Sequence, residues 1–320
     1  MSEHNRSLLL SKSAGCLAGL FCGDAYGAQY EFMAVDEVAD RMDENGADTM
    51  GSSVVFQTPP GHLTDDSEMA LALLRSIAEA GEYRQDAARE HYVAWMNSYP
   101  IDIGRTTMNG LRGYLDYGSQ ANGALMRVAP LAVYLAATNA NANGWVECDR
   151  LAREDAAITH PHEVCQQVNV LYVRMLVSLL QKDLPVPILY RNLRGWASAL
   201  CCDETVLSAI EDAKSFPPEN LLSKQGWVLI AFQNAIYRML HAESPAECII
   251  ETCCAGGDTD TNAAIAGALV GARDGVESFP INWIETVNAC GSDLRCTRPE
   301  EYRVHDIFAL TRDFISLFSA

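Results

Sequence analysis

The sequence predicts an all-α fold, a compact orthogonal multi-helix single domain. Three observations point there. Nearly every long segment carries its apolar or small residues at helical spacing. Strand signals reduce to Val54-Val55-Phe56, a short run. No linker, internal repeat or low-complexity tract divides the 320 residues, so 1–320 reads as one domain.

The elements follow in order. Ser13 to Cys22 repeats Ala14, Gly15, Ala18, Gly19 and Cys22 on one face, with almost no side-chain bulk, so another helix can approach closely. Ser67 to Ala80 is rich in strong helix formers and follows a Thr-Asp-Asp turn, with Asp66 or Ser67 available as cap. Helical patterning continues over Asp86–Asn97, Ala124–Thr138, Leu151–Ala157, Glu163–Gln181, Pro187–Leu200, Lys224–His241, Pro245–Cys254 and Asp260–Ala272, and ends with His305–Phe318. Loops are expected at Asp43–Gly61, Ser98–Gly123 and Phe216–Ser223. The second is too long for a plain connector, and such loops are often functional.

Composition narrows the class. With 49% hydrophobic residues the chain can bury a large core. No apolar run approaches the ~20 residues of a membrane span, and the first twelve residues lack a signal-type pattern, so a soluble, cytoplasmic chain with no membrane partner is expected. The formal charge of −19 opposes general nucleic-acid binding. The eleven cysteines form no C-x-x-C pair, and reduced, buried thiols are the expectation.

Two acidic clusters carry the chemistry: Thr64-Asp65-Asp66-Ser67 and Gly256-Gly257-Asp258-Thr259-Asp260-Thr261. Each opens a helix, where the dipole favours a carboxylate. Capping needs one Asp, Ser or Thr, and each cluster holds more. Four carboxylates in one place repel unless cations lie among them, and an all-oxygen donor set suits Mg²⁺, Mn²⁺ or Ca²⁺. The helix after Asp260 is unusually small-sided, with Gly267 and Gly271 inside it, and matches the Ala14–Cys22 face. That pairing would bring Asp24 and Glu31 toward the clusters. Asp24 itself reads first as a helix-end residue making structural hydrogen bonds.

Five segments in order resemble the ADP-ribosylhydrolase (ADP-ribosylglycohydrolase) family. They are Gly15-x-x-x-Gly19-x-x-x-Gly23-Asp24-Ala25-x-Gly27 with Glu31; Thr64–Ser67; Asn122-Gly123-Ala124-Leu125-Met126-Arg127-Val128-Ala129-Pro130; Thr159-His160-Pro161; and Gly256 to Ala264. The resemblance spans about 11–272. It implies a central dimetal cleft holding two Mg²⁺ (or Mn²⁺). By position, Thr64, Asp65, Asp66, Asp258, Asp260 and Thr261 would be metal ligands. Glu31 and Asp102 would be the catalytic carboxylates. Asn122, Gly123, Ala124, Met126 and His160 would line an ADP-ribose pocket, although a histidine before proline also serves as a cap or packing residue. Arg127 pairs with an internal carboxylate or reaches a phosphate.

Asp102-Ile103-Gly104 resembles the dinitrogenase reductase-activating glycohydrolase-like bacterial branch, which implies removal of ADP-ribose from arginine on a modified protein. Arg105 stands where that branch usually carries Asn, Ser67 where Thr is common, and Tyr26 where an aliphatic residue is common. Hydrolysis of O-linked, serine-type ADP-ribose is the alternative reaction. A non-catalytic ADP-ribose or ADP-ribosylated-protein binder, or an immunity protein, is the alternative class.

Overall fold

One helix, α1 (Glu3–Gly27), runs through the middle of the fold, and every residue from Lys12 onward in it is buried. The computed structural model describes residues 3–219, 221–293 and 296–318. After α1 come α2 (Val35–Asn45), α3 (Asp65–Ala80), α4 (Gln85–Asn97), α5 (Arg105–Leu111), α6 (Ala129–Ala137), α7 (Val146–Ala157) and α8 (Glu163–Gln181). The second half holds α9 (Val186–Ala199), α10 (Glu204–Asp212), α11 (Val228–His241), α12 (Pro245–Cys253), α13 (Thr259–Asp274), α14 (Ile281–Gly291) and α15 (Ile307–Ser316). No strand occurs among the described residues. The all-α expectation holds.

The central relationship is α1 against α13, antiparallel and backbone to backbone. A Cβ added at Gly19 would lie 2.0 Å from the Gly267 carbonyl oxygen, and one at Gly271 would lie 2.0 Å from that of Gly15. Only glycine permits this approach. The two small-sided helices meet as their sequences imply, and α11 and α12 also pack on α13. α3 packs on α4 and α6, and α8 joins α6 to α7.

By length and composition α1 is apolar enough to cross a membrane, which departs from the expectation that no such run exists. Its glycines, alanines and cysteines raise the average without adding bulk. Because 83% of its most apolar stretch is buried inside the fold, α1 serves here as a core helix.

Several boundaries differ from the sequence reading. Val54-Val55-Phe56 is a turn closed by a single bridge between Ser53 and Thr58, not a strand. The helix expected from Ala124 begins at Ala129, because Leu125 and Met126 donate to the Asn122 carbonyl in a turn first. Pro130 then fits the helix's first turn. The helix expected from Lys224 begins at Val228, after Gly226 at φ 72°. The Ser98–Gly123 loop contains the short helix α5. Part of the Phe216–Ser223 loop, Asn220, lies outside the described residues.

Candidate functional site

Helices α3 and α13 both start at one point, and neither caps itself. The N-cap residues Thr64 and Asp258 make no side-chain capping bond. The caps come from α1 and the turn after it. Asp24, fully buried, accepts from the Thr64 N–H (3.0 Å), the Thr64 hydroxyl (2.7 Å) and the Ser67 N–H (3.2 Å). Glu31 accepts from the Thr259 N–H (2.9 Å) and hydroxyl (3.3 Å) and the Asp260 N–H (3.4 Å). A carboxylate at each helix start satisfies orphan N–H groups and meets the positive end of the dipole. Asp24 is thus the structural residue its position implies, and it sets the place of the acidic motif.

These caps converge on two overlapping acidic groups. Oxygens of Asp24, Asp66 and Asp260 lie within 4.8 Å of one another, as do those of Glu31, Asp258 and Asp260. The crowding shows in their protonation. Burial, then Asp102 and Asp24, push the Asp65 carboxyl well above the usual range. Burial, then Asp24 and Asp65, do the same to Asp66. Burial and Glu31 push up Asp260. Burial and Asp258 raise Glu31 to about 8. One oxygen of Asp66, Oδ1, is buried without a hydrogen-bond partner. Hard oxygen donors, mutual repulsion and an orphaned acceptor fit a divalent cation. The Thr64 hydroxyl also reaches Asp66 Oδ2 (3.2 Å), and the Thr261 hydroxyl lies 3.5 Å from the same atom.

Above this floor lies a cleft of about 380 Å³. Of the residues singled out from sequence, Glu31, Asp65, Asp102, Asn122, Gly123, Met126, His160, Asp258, Asp260 and Thr261 line it. Thr64 and Asp66 sit beneath its floor, with no exposed surface. Ala124 does not line it and is fully buried, because the turn at Asn122 directs that residue inward. Asn122 is pinned by two contacts: its side-chain amide donates to Asp258 (2.7 Å), and its N–H to the Gly226 carbonyl (2.9 Å).

His160 is fully buried behind Gly123. Arg127 donates to the Thr159 hydroxyl (2.9 Å), which lies 2.7 Å from His160 Nδ1. Nε2 has no protein partner. Burial and the nearby Arg127 charge hold the ring pKa down at about 3, so it stays neutral. Arg127 takes the internal pairing: it contacts Asp155 (3.3 Å), both side chains having no exposed surface, and stacks on Tyr92.

Sequence reasoning missed Phe32, Thr106, Thr107, Gln225 and Gly226 as cleft residues. Phe32 is half exposed at the rim, with φ 61°, a strained setting for an aromatic residue. Its N–H donates to the Gly257 carbonyl (2.8 Å). Its place directly after Glu31 was the available signal. Tyr26 packs away from the cleft, stacked on Trp283 with its hydroxyl on the Ala47 carbonyl (2.6 Å).

Comparison with known proteins gives a consistent picture. The ADP-ribosylglycohydrolase family model matches residues 5–315. The chain is 29% identical over 319 residues to the ADP-ribosyl-dinitrogen reductase glycohydrolase of Rhodospirillum rubrum, covering 97% of each. It is 25% identical over 298 residues to the ADP-ribosylarginine hydrolase Tri1 of Pseudomonas putida, covering 87% of this chain and 74% of that one. It is 26% identical over 336 residues to the human ADP-ribosylhydrolase ARH3, covering 86% and 88%. A solved ADP-ribosylglycohydrolase-related protein complex matches its fold with a TM-score of 0.77 at 23% identity, over 98% of this chain and all of that one.

Proposed function

The chain belongs to the ADP-ribosylglycohydrolase family, and from that premise we propose that it is a metal-dependent hydrolase that removes ADP-ribose from arginine side chains of modified proteins. The observation that carries the reading is the position of Asp102. It stands at the rim of the cleft whose floor is the acidic cluster, and its charge acts on Asp65. A half-buried carboxylate there suits a cationic guanidinium leaving group. The name of the Pseudomonas relative, an ADP-ribosylarginine hydrolase, supports the same linkage.

Thr64, Asp65, Asp66, Asp258, Asp260 and Thr261 would hold two Mg²⁺ (or Mn²⁺) ions, with Glu31 beside them. Bound there, the metals would supply Lewis-acid polarisation and orientation of ribose hydroxyls. The remaining work falls to the chain's own groups. The unpartnered His160 Nε2 and the Asn122–Met126 turn would bind and orient the ADP-ribose. As the bond between the anomeric carbon and the guanidine nitrogen breaks, the carbon gains oxocarbenium character, which a nearby carboxylate stabilises. Asp102, one oxygen held by the Ile103 N–H at 2.8 Å, would take a proton from the attacking water and pass it to the departing guanidine nitrogen, which holds the electron pair of the broken C–N bond. Glu31, fixed on the start of α13, fits a positioning carboxylate.

One observation favours a second linkage. Arg105 is exposed at the same rim, where its charge opposes a guanidinium and tolerates an O-linked, serine-type substrate. The deciding experiment presents purified protein with arginine-linked and serine-linked ADP-ribosylated proteins side by side, with Mg²⁺ or EDTA, and follows ADP-ribose release by mass spectrometry. Mg²⁺-dependent release from arginine alone is expected. Release from serine alone overturns the arginine reading. Absence of release from both leaves a binding protein.

A further inference from the structure

One buried ion pair outside the cleft connects two parts of its wall. Arg298, near the C-terminal end of the chain, is 5% exposed, and Glu68, in the first turn of α3, is 1% exposed. The guanidinium Nε donates to Glu68 Oε1 (2.6 Å) and Nη2 to Oε2 (2.9 Å), a two-point fork. Trp95 Nε1, in the last turn of α4, donates to the same Oε2 (2.7 Å). Arg298 is fixed in turn, its carbonyl accepting from Arg303 Nε (2.6 Å).

The other edge of the guanidinium reaches a different element. Nη1 donates to the Ser98 and Tyr99 carbonyls (2.9 and 3.1 Å), and Nη2 also donates to the Ser98 hydroxyl (2.7 Å). Ser98 and Tyr99 open the segment 98–104, which leads from α4 to α5 and carries Asp102. Among the described residues, the other hydrogen bonds of this segment stay inside it or run to α4 and α5, except for a long contact from the Gly104 N–H to Asp65 (3.4 Å). Tyr99 shows what the contact holds. Its φ is 56° and its side chain is 89% exposed, so no burial offsets the left-handed backbone. Arg298 supplies the hold by gripping the carbonyls on both sides of the Tyr99 Cα.

We propose that Arg298 is a positioning residue for Asp102, a role that rests on the hydrolase reading above. Held by Glu68 on the helix that opens with Asp65 and Asp66, it ties the Asp102 segment to the acidic floor. Arg298 does not line the cleft, and it acts through the backbone of its neighbours. A lysine keeps the charge but has no planar fork, and its three donors cannot make these five contacts at once.

The test uses the full chain carrying Arg298→Lys and two readouts. Hydrogen–deuterium exchange by mass spectrometry, with Mg²⁺ present, follows the segment and needs no activity. Residues 98–104 are expected to exchange faster in the variant, with α13 unchanged. Steady-state kinetics on an arginine-ADP-ribosylated protein follows the reaction. kcat is expected to fall by about 10–100-fold with KM changed by less than about twofold, because the pocket stays in place while the carboxylate drifts. In an Asp102→Asn background the same change is expected to cost less than about twofold, which a general loss of structure would not produce. Unchanged exchange at 98–104, an undiminished kcat, or an equal loss with and without Asp102 overturns the proposal. If the wild type releases ADP-ribose from neither linkage, the hydrolase reading fails on its own, and the exchange result still decides whether Arg298 holds the segment. If Arg298→Lys does not fold, Glu68→Gln, which keeps the shape and removes the charge, is expected to give the same pattern, and its absence there overturns the proposal.

Discussion

The Asp24 carboxylate accepts both the backbone N–H and the hydroxyl of Thr64, at 3.0 and 2.7 Å, so the end of α1 holds the start of α3. Glu31 does the same for the start of α13. The acidic cluster is therefore placed by carboxylates that belong to neither motif.

Asp24→Ala leaves the Thr64 and Ser67 donors buried and unpaired. A stability loss of about 1–3 kcal/mol is expected, together with weaker Mg²⁺ binding. Thermal denaturation and calorimetric Mg²⁺ titration measure the two. An unchanged Mg²⁺ affinity would mean that the motif holds its shape without α1.

Asp65→Asn and Asp258→Asn each remove one charge from the crowded floor. Turnover is expected to fall by more than about 100-fold, with helical content by circular dichroism intact. Full activity with the same Mg²⁺ dependence in either variant would reject it as a ligand.

Much of this floor was legible in the sequence, and for a physical reason. Asp65, Asp66, Asp258 and Asp260 are local runs at helix starts, and a run of like charges is visible without a structure. Gln225 and Gly226 were not, because a loop from a distant part of the chain brings them to the rim and nothing in their own neighbourhood marks them. The fold divides in the same way. The α1–α13 pair was readable from matched small residues, whereas α5 was hidden in a Gly- and Thr-rich stretch. The start of α6 was misplaced because the turn at Asn122 is set by its bonds to Gly226 and Asp258, not by local propensity.

Gly19→Ala puts a methyl group 2.0 Å from the Gly267 carbonyl oxygen, in a place where both neighbours are backbone. A loss of about 3 kcal/mol is expected, the upper end for overpacking a core. Chemical denaturation measures it. A loss below about 1 kcal/mol would show that the two helices can separate at little cost.

His160 carries the pH prediction. The unfolded ring takes up a proton near pH 6.5, whereas the folded one does so only near pH 3. The unfolded state thus binds the extra proton in between, and the native state loses stability as pH falls through that window. The slope is at most about 1.4 kcal/mol per pH unit. His160→Gln has no such proton to take up, so its stability deficit relative to wild type should shrink between pH 6.5 and pH 5. A deficit constant across that range, by denaturant titration, would mean that the folded ring protonates normally.

The contact between α1 and α13 also sets a timetable. α1 leaves the ribosome well before α13, and its glycine face has no partner until α13 is made, more than two hundred residues later. At ordinary rates of translation that delay is on the order of 10–50 s. For that interval the nascent chain displays a long apolar helix designed to lie against bare backbone, and neither acidic motif has the neighbour that completes it. Whatever shields that helix during synthesis governs the yield of active protein.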